Sequence, residues 1–330
     1  MRQAGRYMKG FRDIRARHSI LDVCRTPALA AEITLQPIER FDLDAAIIFA
    51  DILLPLIPMG LSLDFVEGDG PRISNPTRSE QDIAALRPVV PENDLGGVME
   101  TIRLVRSVLK VPLIGFAGAP FTLASYMIEG GHSRHYLHVK QMMYSAPDLW
   151  HRLMTRVTQV VADYLVAQVA AGAQALQVFD SWVGALSPFD YRRFVFPFMK
   201  TLFDALRVTG VPIIHFGTGT AALLSLQKAA GGDVIGLDWR IPLDEGWNLL
   251  GEDVAVQGNL DPVVLFAPIS EIERQVDDIL ARARNRPGHI FNLGHGILPE
   301  TPLESVDAVI DRVHEKSARS STFSSDTHAA

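Results

Sequence analysis

Two arginines set four residues apart, Arg2 and Arg6, stand at the start of the chain, with Arg15 a short way on. A guanidinium is a planar fork of donors that grips a carboxylate at two points and stays charged at any working pH. Three such groups near one terminus point to a small polyanion, against the ordinary reading of arginines as solvated surface residues. Asp51 carries the complementary chemistry. It follows the apolar run Ala45–Phe49 and precedes a proline-broken apolar segment, Ile52 to Pro58, which offers it little helix to cap and favours a site role instead. Further polar residues end or follow apolar runs: Asp180 and Ser181, His215, Asp238, Gln257 and Asn259, and His295 between two glycines. Tyr126 lies a few residues after the turn Gly118-Ala-Pro120; a core tyrosine with its hydroxyl at the surface is the plainer reading of it.

These groups need elements to position them. Seven apolar, β-rich runs recur along the chain: Ala45–Phe49, Val111–Phe116, Ala175–Phe179, Val211–Phe216, Val234–Leu237, Val254–Gln257 and His289–Leu293. They are continuous rather than alternating, as strands buried on both faces of a parallel sheet must be. Amphipathic helices separate them: Pro147 to Gly172, Pro188 to Leu206 behind a Ser187 cap, Ser270 to Arg284, and Pro302 to His314. Leu61 to Ile73, with Asp69-Gly70 between two short β-rich pieces, reads as a hairpin insertion. Strand–helix alternation of this kind predicts an α/β fold, a (β/α)8 TIM barrel whose first strand precedes Arg2 and is cut short; a doubly wound sheet is the alternative. In a barrel the strand C-terminal ends form one mouth, so the polar residues above are expected to converge there. With no Gly-, Ser- or Pro-rich linker in sight, residues 1–316 read as one domain, and the Ser- and Thr-rich stretch 317–330 as a disordered tail.

Composition narrows the function. The chain has 330 residues, 48% of them hydrophobic, and a net charge of -7. That supports a large core and argues against a nucleic-acid partner, which would need a basic face. A single cysteine, Cys24, leaves no disulfide and no cysteine-pair metal site. The polar N-terminus carries no secretory signal, and the most apolar stretch, Ala45 to Leu61, is interrupted by Asp51, Pro55 and Pro58. The expectation is a soluble, cytoplasmic protein with no membrane partner. Three patterns resemble sites without amounting to one. His132, His135 and His138 recur every third residue without a carboxylate in ligand register, and read as a solvated helix face. Gly217-Thr-Gly-Thr220 resembles a phosphate cradle and could hold a substrate carboxylate. The alternating charges of Ser270 to Arg286 read as an exposed helix.

Taken together, these stretches resemble the uroporphyrinogen decarboxylase family. The matching segments are Met1-Arg-Gln-Ala-Gly-Arg-Tyr7, Thr34-Leu-Gln-Pro37, Ala46-Ile-Ile-Phe-Ala-Asp-Ile52, and Gly118-Ala-Pro-Phe-Thr-Leu123 with Tyr126 and Glu129-Gly130. Gln177-Val-Phe-Asp-Ser-Trp182, His215-Phe-Gly-Thr-Gly219, Gln257-Gly-Asn-Leu-Asp261 and Phe291-Asn-Leu-Gly-His-Gly-Ile297 follow in order, so the resemblance spans nearly the whole chain. It implies a single barrel domain, a homodimer, no cofactor and no metal, and conversion of the four acetates of uroporphyrinogen III to methyls with release of carbon dioxide. It also implies substrate contacts at Arg2, Gln3, Ala4, Gly5, Arg6, Asp51, Tyr126, Ser181 and His295, with Phe11 and Arg15 lining the same cleft, and catalytic roles for Asp51 and Arg2. The chain departs from the family after Tyr7, where Met8-Lys-Gly-Phe11 replaces a Leu-Pro-Glu-Tyr-like piece. Two rivals stand beside this reading. Zinc-dependent corrinoid or thiol methyltransferases resemble the same superfamily but use a His-x-Cys ligand pair, where this chain has His215-Phe-Gly217. A tetrapyrrole carrier without catalysis is the other.

Overall fold

The computed structural model describes residues 3–66 and 70–317. Arg2, Asp69 and the tail beyond Ser317 lie outside the described residues.

All seven expected runs become strands of one parallel sheet. In chain order, and counting a separate hairpin, the strands are β1 (Ala46–Ile47), β2 (Leu63–Val66), β3 (Gly70–Ile73), β4 (Leu113–Gly118), β5 (Ala175–Asp180), β6 (Ile213–Gly217), β7 (Val234–Gly236), β8 (Ala255–Gln257) and β9 (His289–Ile290). The sheet runs β1-β4-β5-β6-β7-β8-β9, every neighbouring pair parallel, with a further parallel bridge at Leu260–Leu293. The order never reverses. A doubly wound sheet requires a reversal, where the crossovers change face, so that alternative is excluded. β2 and β3 form the expected antiparallel hairpin, with Val66 opposite Gly70.

β1 is shorter than its run predicts, because side chains displace the ladder. Pro112 and Ile114 of the β4 segment accept from Ala46 and Ile48. Continuing that alternation, Phe116 should face β1. Instead Gln168, from the helix Pro147–Ala171, gives its amide to Phe116: Oε1 accepts the Phe116 N–H at 2.8 Å and Nε2 donates to the Phe116 carbonyl at 2.8 Å. On β1 the Phe49 N–H donates to Thr34 Oγ1 at 3.0 Å. Gly115 makes room for this arrangement, since a Cβ there would sit 2.5 Å from Gln168 Oε1. On the far edge of β1, the Gln3 side chain donates to the Ala45 carbonyl (2.7 Å) and accepts the Ile47 N–H (2.8 Å), using its amide as a neighbouring strand would use its backbone.

The helix Pro147–Ala171 stops before Gly172, as expected, and buries Trp150, Leu153, Met154, Val157, Val161 and Leu165 at helical spacing. The stretch expected as one helix from Pro188 to Leu206 is two, Pro188–Phe194 and Phe196–Leu206, broken at Val195. Pro197 causes the break: it has no N–H to donate back, and its ring collides with the carbonyl one turn earlier. The Ser187 cap is present, accepting from the Asp190 N–H at 3.1 Å. The other two helices run Ile269–Ala283 and Leu303–Ser317, which puts Ser317 in a helix rather than in the tail.

The core forms two apolar clusters. One surrounds β4 and β5; the other surrounds β7 and β8 and takes in Tyr7, Met8 and Phe11, and Phe49 packs against both. No described helix is long and apolar enough to cross a membrane.

Candidate active site

Because the strands are parallel and sequential, their C-terminal ends share one rim. Each predicted site residue can be placed relative to it.

The N-terminal segment is folded against β1. Tyr7 is buried and its hydroxyl donates to the Gln3 carbonyl at 2.5 Å; burial raises its pKa. Ala4 and Gly5 are buried, Gly5 giving its carbonyl to the Met8 N–H at 3.0 Å, and the Gln3 amide is committed to β1. The Arg6 side chain is exposed. Phe11 sits edge-to-face on Phe49, ring centroids 5.7 Å apart, which ties the helix Lys9–Arg15 to the strand leading to Asp51. Half-buried Arg15 donates to the His18 carbonyl, and its charge reaches Cys24. Asp51 reaches the same thiol. Burial first, then the Asp51 charge, pushes Cys24 up to about 12, while Arg15 opposes them. Asp51 and Arg15 thus both act on buried Cys24.

Asp51 is half-buried. Its Oδ1 accepts the Leu53 N–H at 2.8 Å, and its carbonyl accepts the Leu54 N–H at 3.2 Å. This corrects the expectation that it has little to cap: it closes an Asx turn into the short 3-10 helix Leu54–Leu56. Pro55 does not prevent this, because the first turn leaves its N–H positions unpaired anyway. One carboxylate oxygen is thus fixed by backbone.

Beyond β4 and β5 the chain builds an aromatic platform. Tyr126 stacks on Trp182 at 3.8 Å, and Tyr136 meets the same indole edge-on at 5.4 Å. The Trp182 N–H donates to Thr122 Oγ1 (3.2 Å), whose hydroxyl donates to Asp180 Oδ1 (2.8 Å). Ser181 lies between, half-buried, its carbonyl accepting from Thr218 Oγ1 at 2.6 Å.

Four of the polar residues expected at the mouth are buried and engaged within the protein. Asp180 is fully buried, and desolvation raises its pKa to about 7 against the Thr122 hydrogen bond; its Oδ2 has no partner among the described residues. His215 is buried against helices, 4.8 Å from the Phe203 ring, with Nδ1 3.2 Å from the Gly231 carbonyl, and burial lowers it to about 4. Asp238 is buried and holds the loop after β6, accepting the Gly219 N–H at 2.5 Å. The glycine-threonine turn does bind a carboxylate, but it is the protein's own. Asn259, also buried, donates to the Asp238 and Ile241 carbonyls (2.9 and 2.6 Å).

His295 is exposed at the rim, its ring edge-on to Trp239 at 6.0 Å. Gly294 allows the two loops to approach, since a Cβ there would lie 2.5 Å from the Trp239 backbone nitrogen. His132 and His135 lie in a loop and only His138 in a helix (Leu137–Ser145), which corrects the helix-face reading. Among the described residues no three histidines, cysteines or acids stand together as metal ligands. Trp182, Trp239 and Arg240 were missed from sequence, although Trp182 falls inside a quoted motif and the other two directly follow Asp238.

The uroporphyrinogen decarboxylase (URO-D) family matches residues 1–316. The chain belongs to this family. A relative called uroporphyrinogen decarboxylase in Carboxydothermus hydrogenoformans is 54% identical over 322 residues, covering 97% of this chain and 92% of its own. One of the same name in Thermus thermophilus is 56% identical over 318 residues, covering 96% and 93%. Among solved structures, a methyltransferase from Methanosarcina mazei superposes with a TM-score of 0.78 at 20% identity, covering 91% of this chain and 90% of that one. A B12-independent methionine synthase from Shewanella sp. gives 0.55 at 11% identity, covering 87% and 88%. At such identities the two structures speak to fold alone.

Proposed function

We propose that this protein decarboxylates the four acetate side chains of uroporphyrinogen III, giving coproporphyrinogen III and four molecules of carbon dioxide. The observation that carries the reading is the family match across residues 1–316, within which Asp51 follows β1 and is held by the Leu53 N–H.

The chemistry follows from the substrate. Eight carboxylates fringe a macrocycle with four pyrrole N–H donors. Arg2, Arg6 and Arg15 pair with carboxylates. Ionised Asp51 accepts from the pyrrole N–H groups and folds the macrocycle around one anion. Protonation of a pyrrole carbon makes an iminium-like electron sink. The acetate C–C bond then breaks, its electrons flow into the ring and carbon dioxide leaves; the exocyclic carbon takes a proton to become methyl, and the ring carbon gives up the proton it first took, restoring the pyrrole. Each acetate thus consumes one proton and releases one carbon dioxide. A fixed carboxylate stabilises the cationic intermediate, as preorganised donors stabilise an oxyanion. The first proton comes from an arginine, a water or a group linked to Asp51. Tyr126, Ser181 and His295 bind and orient by hydrogen bonding, with Gln3, Ala4 and Gly5 shaping the segment that carries the arginines and Phe11 walling the cleft. We further propose that the sheet closes into an eight-stranded barrel beside the Gln3-lined edge of β1, that residues 1–316 form one domain, and that two copies associate as a dimer.

Anaerobic incubation with uroporphyrinogen, followed by chromatographic counting of product carboxylates, tests the reaction. Loss of four carboxylates per molecule is expected; recovery of intact octacarboxylate overturns the reading. Asp51→Asn tests the assignment, because asparagine can still accept the Leu53 N–H and so keeps the turn while losing the charge. Turnover is expected to fall at least about a hundredfold, and wild-type turnover would remove Asp51 from its role.

A further inference from the structure

The end of β7 carries an arginine whose surroundings are built in advance. Arg240 is half-exposed, whereas Asp238, which holds it, is 2% exposed. Nη1 of Arg240 donates to Asp238 Oδ2 at 2.6 Å, and the Arg240 backbone N–H donates to Asp238 Oδ1 at 3.0 Å. Asp238 is itself anchored by the Gly219 N–H, and its carbonyl by the Asn259 amide. The guanidinium carbon lies over the Trp239 ring, 3.9 Å from its centroid. Trp239 in turn meets His295 edge-on. Loops after β6, β7, β8 and β9 thus converge on one guanidinium at the rim.

A surface arginine normally spends side-chain entropy on gripping a ligand. Here Asp238 and Trp239 already hold the fork in place, so that less is lost on binding. Asp238 takes only one edge of the guanidinium. Nε and Nη2, the edge that pairs with a carboxylate at two points, have no partner among the described residues. The Asp238 carboxylate also accepts from two backbone N–H groups, which hold it in place against the guanidinium.

We propose that Arg240 is a carboxylate-binding residue of the mouth, taking a propionate of the tetrapyrrole on the side of His295. The proposal rests on the decarboxylase reading for the identity of the ligand. Propionates survive the reaction, so a group that reads them holds substrate, every intermediate and product alike. Arg240 is then a specificity residue that contributes to binding throughout the four turnovers and not to the bond-breaking step.

The test measures anaerobic binding of coproporphyrinogen and of its tetramethyl ester to wild type and to Arg240→Gln, with tryptophan quenching as the signal. The acid is expected to bind about tenfold more weakly to the variant, the ester equally to both, and Arg240→Lys is expected to lie between. Equal affinity of wild type and Arg240→Gln for the acid overturns the proposal, as does a loss that the ester shares. Phenylglyoxal labelling of wild type is the second measurement and needs no variant: coproporphyrinogen is expected to protect Arg240, and unchanged labelling overturns the proposal. Wild type that binds the acid through Arg240 but releases no carbon dioxide from uroporphyrinogen would sink the decarboxylase reading alone.

Discussion

At the scale of single residues, what decides behaviour is which groups are fixed and which are solvated. His295 is exposed and reaches the site through one ring, so its contribution is one hydrogen bond or ion pair. His295→Ala is expected to raise KM about tenfold with kcat nearly unchanged; steady-state kinetics check this, and a collapsed kcat at unchanged KM would contradict a binding role. Asp180 makes a different prediction. Its pKa is raised by burial from 3.8 to about 7. A group whose folded pKa is raised favours the fold fully below about pH 4, and that contribution is lost as pH rises through about 7. Wild type should therefore lose stability between these values relative to Asp180→Asn, by up to about 4 kcal/mol. Thermal melts of both proteins across that window provide the check, and parallel curves would mean that Asp180 is ionised in its buried setting. Its Thr122 hydrogen bond, leading on to Trp182, makes it a support beneath the Tyr126 platform rather than a group of the mouth.

At the scale of elements, two glutamine side chains take the place of missing strand backbone. Gln168 satisfies both polar groups of Phe116 where β1 and β4 part, and Gln3 does the same for Ala45 and Ile47 on the outer edge of β1. Gln3 thereby holds the short strand that leads to Asp51, and Gln168 holds the strand beside it. Gln168→Ala leaves a buried N–H and C=O unpaired, and is expected to cost about 2–4 kcal/mol, read as a lower denaturant midpoint. A cost below about 0.5 kcal/mol would mean that water or a backbone shift replaces the amide. Gly115→Ala should produce a related loss, because the added methyl would sit on Gln168 Oε1. The aromatic contact of Phe11 with Phe49 couples the arginine-bearing helix to the same strand, so the two halves of the proposed site are positioned against one element.

At the scale of the whole molecule, one parallel sheet passes through both apolar clusters, and Phe49 belongs to the boundary of each. Neither cluster can unfold without breaking strand pairing that the other needs. Calorimetry is expected to show one transition with equal calorimetric and van't Hoff enthalpies; two resolved transitions would divide the chain into separate domains. The many exposed ion pairs, such as Arg274 with Glu271 and Lys200 with Asp204, add little to this, since solvent screens them. Sedimentation at micromolar concentration is expected to show twice the chain mass of 36.3 kDa.

The sequence by itself determined where the seven described strands of the sheet lie, the hairpin, the Ser187 cap and the family. Apolar runs bounded by turn residues, and motifs read in order, need no third dimension. The Val195 break was legible too, in Pro197, but helical periodicity on either side concealed it. What only tertiary structure decided is the direction each polar residue faces. A strand buried on both faces has no apolar–polar alternation, so nothing in its run says whether His215 turns to the mouth or to Phe203, or whether Asp180 meets substrate or Thr122. The same holds for Gln168, which is 52 residues from the strand it completes, and for Asp238, whose partners Gly219 and Asn259 are brought to it by two different loops. Composition and spacing set which groups are available, while the packing of helices on the sheet sets which of them remain open to a ligand.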